Sequence, residues 1–368
     1  MSESDEWMQA VVLVGGRGVR LYPLTQTTPK PLIPLANRVL VEHIVRWLAQ
    51  AGIEEVLLLT QYRAHAFDAW LHRWQGIPVR AIQEPFPLGT AGAVANVARF
   101  LQGTTAVING DNITNIDLQA MARAHRDTGA AVTIAVDCVE DVTGRGVVVT
   151  GTGGRVTQFQ EKPAPAIALA ATVNTGTYLI EPDVLAEVVP GQPAMWETDV
   201  FPALIAAGAS VYAFERPHLW LDTGTPEGYF TAHQAILEGE ISAPGGIRTD
   251  GLWLEADAVR NDRASYCPPI AIGSSTSIED GVMIVGPVSI GARCRVGQGA
   301  RIEHSAIWDG CMIGTQAIVR RSIIGYNCSI AEHARVEGAL LGDGVMVQPG
   351  AHVVAGSRLE PHTVVEPA

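Results

Sequence analysis

The chain contains 368 residues and carries a formal net charge of −13, from 25 basic and 38 acidic side chains. This length is enough for two domains, each with a hydrophobic core of its own. Apolar residues make up 47% of the chain and charged residues 17%, a composition that excludes a disordered protein. Because the basic residues form no block, the sequence also argues against nucleic acid or an anionic membrane as a partner.

Targeting signals are not expected either. Residues 1–7 are acidic and polar, which is the wrong sign for a secretory signal peptide. No apolar stretch approaches the roughly 18–20 residues that a membrane-spanning helix requires. The five cysteines are odd in number and widely spread, so they predict reduced thiols and neither a disulfide framework nor a zinc site. These features together predict a cytoplasmic location.

Up to about residue 235, short apolar strands alternate with helical segments. The predicted strands are 11–14, 55–60, 79–82, 106–108 and 132–136. The predicted helices are 40–52, 64–74, 90–101 and 118–128. Strands separated by helices predict a Rossmann-like α/β domain of three layers, with a mixed, mostly parallel sheet.

The remainder of the chain follows a six-residue period. An aliphatic residue recurs in phase, with a few five-residue steps, at 272, 278, 284, 290, 296, 302, 307, 313, 324, 330, 336, 341, 347, 353, 359 and 365. This period fits no α-helix and predicts a parallel β-helix with three short sides per coil. Cys294, Cys311 and Cys328 lie 17 residues apart, and we expect them to stack in the core as small apolar residues, in preference to a metal ladder.

These two patterns set the predicted domain boundaries. We expect a catalytic domain at residues 1–238 and a β-helix domain of hexapeptide repeats at 270–368. Residues 239–269 have a mixed composition and contain Pro244-Gly-Gly246, and we interpret them as a linker that packs against both domains.

A glycine-rich loop follows the first strand and precedes two cations. Gly15, Gly16 and Gly18 leave the backbone bare, so that N–H groups can point at an anion. Arg20 and Lys30 add positive charge nearby, and prolines on both sides hold Lys30. The spacing matches neither the phosphate loop of P-loop proteins nor the dinucleotide fingerprint. The loop predicts a polyphosphate site; the alternative is a glycine-rich turn flanked by surface charges.

Asn109-Gly110-Asp111 also follows a predicted strand. Ligands of parallel α/β sheets bind beyond the carboxyl ends of the strands, so we expect this segment and the glycine loop to converge on one crevice.

Seven short motifs occur together along the first 235 residues. They are Gly15-Gly-Arg-Gly-Val-Arg20, Pro29-Lys-Pro31, Leu88-Gly-Thr-Ala-Gly92, Asn109-Gly-Asp111, Glu161-Lys-Pro163, Asn174-Thr-Gly176 and Trp220-Leu-Asp-Thr-Gly224. In this order and near this spacing, they resemble the motifs of the sugar-1-phosphate nucleotidyltransferase family, also called nucleotide-sugar pyrophosphorylases. Leu88–Gly92 and Ser322–Val336 make the chain most similar to the mannose-1-phosphate guanylyltransferases that carry a C-terminal left-handed β-helix.

The resemblance implies an activity and a set of site residues. A nucleoside triphosphate, GTP in this subgroup, would react with mannose 1-phosphate and release pyrophosphate. The catalytic residues implied are Arg20, Lys30, Asp111 and Asp222, of which Asp111 and Asp222 would hold Mg²⁺. The nucleotide-binding residues implied are Gly15, Gly16, Gly18, Arg20, Lys30, Glu84, Gly89 and Thr90. The residues implied for the sugar phosphate are Gly110, Glu161, Lys162, Asn174 and Gly176. Ordinary structural roles remain open for the two aspartates: a turn for Asp111 and a helix N-cap before Pro226 for Asp222.

The base is expected to be read just before Leu88. The carboxylate of Glu84 can accept two hydrogen bonds from the N1–H and N2–H₂ groups of guanine, whereas it offers no donor to uracil O4 or adenine N1. This favours GTP. Glu84 could instead be an ordinary loop carboxylate, with Gln83 as the base reader.

Three other functions remain open at this point. The same chemistry could serve other substrates, as in a glucose-1-phosphate thymidylyltransferase or a guanylyltransferase for another sugar phosphate. Val19, where the family usually has threonine, would suit a catalytically silent regulatory paralogue. The β-helix could be an acyltransferase with a histidine base, for which the residues available are His304, His333, His352 and His362.

The open end of a β-helix also predicts a homo-oligomer, because its last coil leaves backbone groups unpaired.

Overall fold

The computed structural model of the protein describes residues 9–242 and 246–367. The acidic segment 1–7 and the linker residues Pro244 and Gly245 lie outside the described residues. The chain divides into two compact units, Met1–Gly16 with Ile44–Trp220, and Arg17–His43 with Leu221–Ala368. The second unit therefore contains the β-helix together with an early segment of the chain.

The elements that precede the β-helix are numbered in chain order. The strands are β1 Gln9–Leu13, β2 Pro34–Leu35, β3 Arg38–Val39, β4 Glu55–Thr60, β5 Val79–Gln83, β6 Thr105–Asn109, β7 Asn112–Thr114, β8 Val132–Cys138, β9 Val147–Thr150, β10 Val156–Gln160, β11 Thr172–Ile180, β12 Val211–Glu215 and β13 Trp220–Asp222. The helices are α1 Leu24–Thr27, α2 Leu40–Gln50, α3 Asp68–Arg73, α4 Gly89–Val97, α5 Leu118–Thr128, α6 Pro182–Ala186, α7 Phe201–Ala206 and α8 Pro226–Glu238.

A nine-stranded mixed sheet forms the centre of the first unit. Its main path is β10-β9-β11-β6-β1-β4-β5, and β8 joins β11 to β12. The strands β6, β1, β4 and β5 are mutually parallel. Val11 and Val12 on β1 are fully buried, as expected for a parallel strand covered on both faces. The mixed α/β sheet predicted from the sequence is confirmed. Beyond residue 136, β9, β10 and β11 add antiparallel pairs, which the sequence analysis did not delimit.

The predicted helices differ from the structure mainly at their ends. Strand β4 and helix α5 have the predicted bounds, whereas two predicted helices are each divided in two. Residues 64–74 form a 3₁₀ turn, Ala64–Phe67, followed by α3, and residues 90–101 form α4 followed by the 3₁₀ turn Ala98–Phe100. Short 3₁₀ turns are common at helix termini, where i→i+3 bonds satisfy backbone groups that the α-helix leaves unpaired.

Three parallel sheets build the C-terminal β-helix. The first contains Leu252–Leu254, Ile270–Ile272, Val288–Ile290, Ala306–Ile307, Ile323–Ile324, Leu340–Leu341 and Arg358–Leu359, with Ile247–Thr249 antiparallel at its edge. The second contains Ser265–Cys267, Met283–Val285, Arg301–Glu303, Ile318–Arg320, Arg335–Glu337 and His352–Val353. The third contains Ser277–Ile278, Arg295–Val296, Met312–Ile313, Ser329–Ile330, Met346–Val347 and Val364–Val365. This confirms the predicted parallel β-helix, and it is consistent with the left-handed class.

The coils account for the period of the sequence. Ser289 pairs with Ala306, and Ala306 with Ile323, so these coils contain 17 residues and include a five-residue side. Cys294, Cys311 and Cys328 are buried in the core of the β-helix, as predicted. Their thiols each face a backbone carbonyl oxygen 14 residues further on, at 3.1–3.2 Å.

The β-helix sheets begin before residue 270. Leu252–Leu254 pairs in parallel with Ile270–Ile272, and Ser265–Cys267 pairs in parallel with Met283–Val285. The first coil therefore lies within the segment predicted as a linker. The six-residue period did not reveal it, because the aliphatic pattern becomes regular only from Ile272.

A buried histidine on α8 connects several parts of the second unit. The Nδ1 atom of His233 accepts a hydrogen bond from the Ala36 amide at 3.3 Å, in the turn between β2 and β3. The imidazole stacks on Tyr229, whose hydroxyl donates to the Pro34 carbonyl at 2.6 Å. On the β-helix, Trp308 Nε1 lies 3.4 Å from the same hydroxyl. Complete burial lowers the pKa of His233 to about 3.

We therefore expect acid to destabilise the protein through His233. Between pH 6.5 and 3 the unfolded chain binds a proton at this histidine that the folded chain does not. The contribution of His233 to the free energy of unfolding is therefore complete above pH 6.5 and decreases as the pH falls below 6.5. Between pH 7.5 and 5.5 this site should lower the free energy of unfolding by about 1.4 kcal/mol. Urea unfolding of the wild type and His233→Gln at the two pH values measures the effect. Equal losses in both proteins would contradict it.

Candidate functional site

Two cations flank one carboxylate in the second unit. Asp222 Oδ1 lies 3.8 Å from Lys30 Nζ, and Asp222 Oδ2 lies 3.7 Å from Arg20 Nη2. At these separations the carboxylate holds the cations beside each other without the short charge-assisted bonds of a closed ion pair. The Arg20 side chain is 59% exposed, whereas that of Lys30 is 6% exposed. We call these three residues the Asp222 cluster. It brings together three of the four catalytic residues predicted from the sequence.

The backbone around Lys30 fixes where its side chain begins. Lys30 opens a 3₁₀ turn, Lys30–Leu32, that follows Pro29. Gly18 has a φ of +63°, and a Cβ added there would lie 2.9 Å from the Cβ of Lys30. Glycine is required at this position, both for the left-handed backbone and for the close approach. Thr25 donates to the Gly18 carbonyl at 2.8 Å and holds the loop from the other side.

Asp222 ends β13 and is fixed by the turn that follows. Its Oδ1 atom accepts a hydrogen bond from the Gly224 amide at 2.7 Å. A Cβ on Gly224 would collide with the guanidinium of Arg20 and would lie 2.8 Å from Asp222 Oδ1. The N-cap of α8 is Thr225, whose hydroxyl accepts from the Gly228 amide at 3.1 Å. The capping role considered for Asp222 thus belongs to Thr225.

Gly15 and Glu84 lie side by side in the first unit. A Cβ on Gly15 would lie 3.2 Å from Glu84 Oε1, whereas one on Gly16 would meet no described atom within 4 Å. The other oxygen, Oε2, accepts a hydrogen bond from the Leu88 amide at 3.0 Å. Burial raises the pKa of Glu84, and the bond from Leu88 opposes that rise in part. The carboxylate that the sequence predicts to read the base therefore faces the start of the glycine loop.

The Asn109-Gly110-Asp111 segment lies at the same sheet edge as the start of the glycine loop. Strands β1 and β6 are parallel neighbours, with Leu13 opposite Asn109. The Gly110 amide donates to the Leu13 carbonyl at 2.9 Å, and a Cβ on Gly110 would lie 2.6 Å from that oxygen. Within this unit, Asp111 and Gly15 thus follow the carboxyl ends of adjacent strands, as predicted.

Glu161 and Lys162 form an ion pair on the exposed side of the first unit. Lys162 Nζ lies 2.5 Å from Glu161 Oε1, and the Lys162 side chain is 63% exposed. Lys162 has a φ of +47°, which is uncommon for a residue with a long side chain. Glu161 Oε2 would lie 3.1 Å from a Cβ on Gly146, so a glycine lies beside this carboxylate.

A hydrogen-bonded chain of side chains joins two of the predicted motifs. Thr90 donates to Glu197 Oε2 at 3.0 Å, and the Tyr178 hydroxyl donates to Glu197 Oε1 at 3.3 Å. Asn174 Nδ2 in turn donates to the Tyr178 hydroxyl at 2.7 Å, while its Oδ1 accepts from the Gly176 amide at 2.9 Å. We call this chain the Glu197 network. It couples Thr90, predicted for the nucleotide, to Asn174 and Gly176, predicted for the sugar phosphate.

Burial raises the pKa of two groups in the Glu197 network. Desolvation raises the pKa of Glu197, and the negative charge of Glu161 adds to that rise. Burial and the charge of Glu197 also raise the pKa of Tyr178 well above its usual value, so the phenol remains a donor. Helix α4, which carries Thr90, packs closely against the segment that precedes Glu197. A Cβ added to Gly89 would lie only 2.5 Å from the carbonyl oxygen of Ala194.

Sequence reasoning missed Glu197 and Tyr178. Tyr178 lies on β11 beyond an irregularity in register that begins at Asn174, and Gly176 within it has a φ of +74°. Glu197 lies in a single π-helical turn, Trp196–Val200. Neither position follows a periodic pattern, although π-helical turns are frequent at functional sites.

The basic residues of the chain are almost all arginines. Among 25 basic residues only two are lysines, Lys30 and Lys162, and the other 23 are arginines. Both lysines occur in motifs predicted to bind phosphate groups.

Within the described ranges, no helix is long and apolar enough to cross a membrane. In the same ranges, no group of three or more His, Cys, Asp or Glu side chains is arranged to hold a metal ion.

Comparison with known proteins identifies the family of the chain. The family described as "Nucleotidyl transferase" matches residues 9–239, and "GMPPB C-terminal domain" matches residues 266–368. A UTP–glucose-1-phosphate uridylyltransferase from Synechocystis sp. is 33% identical, over 84% of this chain and 85% of that protein. A mannose-1-phosphate guanylyltransferase from Mycobacterium tuberculosis is 31% identical, over 85% and 83%. Mannose-1-phosphate guanylyltransferase 1 from Arabidopsis thaliana is 32% identical, over 85% and 87%.

A solved structure is also similar to this chain. HddC from Yersinia pseudotuberculosis superposes with a TM-score of 0.54 at 25% identity, over 61% of this chain and 98% of that one. HddC has also been solved in complex with GMP-PN. Nucleotidyltransferases of this family generally use a divalent metal ion, and nucleotides and sugar phosphates are their substrates. The chain belongs to the nucleotidyl transferase family and transfers a nucleotidyl group from a nucleoside triphosphate to a sugar 1-phosphate.

Proposed function

We propose that the protein is a mannose-1-phosphate guanylyltransferase, which converts GTP and mannose 1-phosphate to GDP-mannose and pyrophosphate. Two comparisons support these substrates. Relatives from M. tuberculosis, A. thaliana and Danio rerio carry this activity in their names, and residues 266–368 match the family described as "GMPPB C-terminal domain". In the cell we expect the enzyme to act as a cytoplasmic homo-oligomer.

The observation that carries the choice of GTP is the position of Glu84. Its half-buried carboxylate faces Gly15 at the start of the glycine loop, where we expect the nucleotide to bind. A carboxylate accepts hydrogen bonds from both guanine N1–H and N2–H₂, and a well-formed pair of this kind contributes about 1–3 kcal/mol of discrimination between bases. Uracil and thymine offer a single donor on that edge, N3–H, flanked by carbonyl oxygens that a carboxylate repels.

A second candidate is UTP with glucose 1-phosphate. It is supported by the Synechocystis uridylyltransferase, which is as similar to this chain as the guanylyltransferases are. This candidate leaves the chemistry unchanged and requires Glu84 to contact something other than the base.

In the proposed reaction, a phosphate oxygen of the sugar 1-phosphate attacks the α-phosphorus of GTP in line. One phosphorus–oxygen bond forms, and the bond from the α-phosphorus to the bridging oxygen breaks, so that pyrophosphate leaves with the electron pair. The guanidinium of Arg20 presents a fork suited to the oxygens of the leaving pyrophosphate. The nearly buried ammonium of Lys30 adds a charge that solvent screens weakly. The protein thus works by alignment and charge neutralisation.

Carboxylate oxygens are the donors that Mg²⁺ prefers, and the side chains of Asp111 and Asp222 fit this chemistry. Asp222 is suited to the role because its contacts with Arg20 and Lys30 are long, so its oxygens are not closed off by short ion pairs. We propose these two residues as the Mg²⁺ ligands. When bound, the ion would neutralise phosphate charge and polarise the α-phosphate.

For the sugar phosphate we propose Lys162 as the phosphate contact. Glu161, Asn174 and the backbone at Gly110 and Gly176 would bind the sugar hydroxyls. The exposed ammonium of Lys162 can exchange its bond to Glu161 for a phosphate oxygen. The Glu197 network then holds Asn174 in one orientation while the sugar binds.

Pyrophosphate release tests the substrates directly. Purified protein is incubated with Mg²⁺ and each of the four common triphosphates, against mannose, glucose and galactose 1-phosphates. We expect kcat/KM for GTP with mannose 1-phosphate to exceed every other pair by about tenfold or more. A maximum for UTP with glucose 1-phosphate would overturn the proposal in favour of the second candidate. No release with any pair would indicate the silent paralogue.

Replacing Glu84 with glutamine tests how the base is read. The amide cannot accept from both guanine donors, so we expect kcat/KM for GTP to fall about 10–100-fold relative to UTP. Because burial raises the pKa of Glu84, the preference for GTP should also weaken with acidification at a higher pH than an ordinary glutamate would give. Gln83→Ala is the matched control. If that variant loses the preference and Glu84→Gln keeps it, Gln83 reads the base.

Replacing Gly224 with alanine tests the packing of the Asp222 cluster. The new methyl group would occupy the position of the Arg20 guanidinium, which is exposed and can swing into solvent. We expect kcat to fall about tenfold with the thermal midpoint nearly unchanged. Steady-state kinetics and calorimetry on the same preparation measure both quantities. If the thermal midpoint falls so far that partial unfolding explains the lost activity, Gly224 is required for folding and not for the packing of the Asp222 cluster.

A further inference from the structure

The loop that carries Arg20 is bonded directly to the last coil of the β-helix. The Nη1 atom of Arg358 donates to the carbonyl oxygens of Arg20 at 2.9 Å and Tyr22 at 2.8 Å. Arg358 lies in the last strand of the first β-helix sheet, 338 residues after Arg20. All these residues belong to one compact unit.

The two carbonyls are available because of how the loop turns. Residues 19–21 form a 3₁₀ turn whose own bonds use the carbonyls of Gly18 and Val19. The carbonyls of Arg20 and Tyr22 therefore point away from the turn, on either side of the buried Leu21. One nitrogen of a guanidinium carries two N–H groups, so Arg358 can bond to both oxygens at once.

Two further contacts join the same segment to the β-helix. Thr27 donates to Asp343 Oδ2 at 2.7 Å, and Asp343 Oδ1 accepts from the Tyr326 amide at 2.9 Å. Asn37 Nδ2 donates to the Ile290 carbonyl at 2.9 Å. Among the described residues, the segment is thus bonded to the β-helix at three places or more, and the bond from Arg358 is to the peptide of Arg20 itself.

The position of the Arg20 side chain depends on this bond to its backbone. It is 59% exposed, and its ion pair with Asp222 is 3.7 Å long, so the side chain gains little order from its own contacts. The position of its backbone then decides where the guanidinium can reach. A misplacement of about 1 Å at such a group can cost about 100-fold in rate.

We propose that Arg358 is a positioning residue that fixes the Arg20 loop, so that the β-helix supports the transfer step directly. The proposal rests on the role proposed above for Arg20. Arg358 is itself exposed, so its removal should loosen the loop without unfolding the protein.

The first test needs no substrate. Amide hydrogen exchange is compared between the wild type, Arg358→Ala and the control Arg335→Ala, an exposed arginine on another sheet of the β-helix. We expect the peptide covering residues 18–28 to exchange about tenfold faster in Arg358→Ala alone, with strand β1 unchanged. Unchanged exchange in that peptide would overturn the proposal, even if the substrates proposed above prove wrong.

The second test is kinetic. In Arg358→Ala, kcat should fall about tenfold while KM for the triphosphate changes less than about twofold, since Arg20 acts on the leaving group. Added methylguanidinium should restore part of kcat in Arg358→Ala and have no such effect in Arg335→Ala. Unchanged kcat, or a loss without rescue, would overturn the proposal. If Arg358→Ala unfolds, the same measurements on Arg358→Lys decide, because one ammonium retains the charge and part of the bonding.

Discussion

Asp222→Asn should lower kcat for pyrophosphate release by about 10³-fold or more, because it removes the carboxylate that we propose as a Mg²⁺ ligand and that also holds Arg20 and Lys30 beside each other. The amide still accepts from the Gly224 amide, so the turn after β13 should survive. The pairs with Arg20 and Lys30 are long and Asp222 is partly exposed, so stability should change by less than about 1 kcal/mol. Rates measured across a Mg²⁺ titration would show whether more metal ion compensates.

Glu227→Gln is the matched control for this variant. It removes one carboxylate charge five residues further along the chain, in the exposed first turn of α8. We expect kcat to stay within about twofold of the wild type, because a single exposed charge has little effect at a distance. An equal loss in both variants would mean that the charge of this region, and not the carboxylate of Asp222, sustains the reaction.

Lys30→Met should lower kcat/KM for the triphosphate by about 10²–10³-fold, because we propose that this nearly buried ammonium contacts the nucleotide phosphates, where solvent would screen its charge little. Methionine has a similar length and packs well in irregular apolar space, so the loop should keep its structure. Thermal unfolding is expected to occur at the wild-type temperature or above, since a buried charge is removed.

Lys162→Met is the matched comparison, since Lys162 is the other lysine of the chain. It should raise KM for the sugar 1-phosphate and leave KM for the triphosphate nearly unchanged. Initial rates with each substrate varied in turn separate the two effects. If both variants raise KM for the same substrate, the two roles have been assigned wrongly.

Periodic features of the sequence predicted the fold well. Each side of the β-helix places one aliphatic residue inward, so residues such as Ile290, Ile307 and Ile324 follow from counting alone. In the α/β unit, a glycine loop after β1 and Gly110-Asp111 after β6 were predicted to meet, because parallel neighbours end at one edge. The first β-helix coil at 252–267 was not recognised, since its apolar residues do not yet follow the six-residue period.

Contacts between distant positions were beyond the reach of the sequence. Thr90 and Glu197 are separated by 107 residues, and Arg358 lies 336 residues after Tyr22. Nothing in local spacing indicates such pairs, since they depend on how helices and coils pack. Even so, the sequence motifs did identify the members of the Asp222 cluster. Arg20, Lys30 and Asp222 each lie in one of the seven motifs, and the structure places them together.

Because the chain has only two lysines, their side-chain ammonium groups can serve as spectroscopic probes of substrate binding. With Lys30 nearly enclosed and Lys162 largely open, isotope labelling of lysine would yield only two side-chain ammonium signals in a magnetic resonance spectrum. If the roles proposed above hold, one signal would respond to the triphosphate and the other to the sugar phosphate. The order in which the two substrates bind could then be observed without substituting any residue of the enzyme.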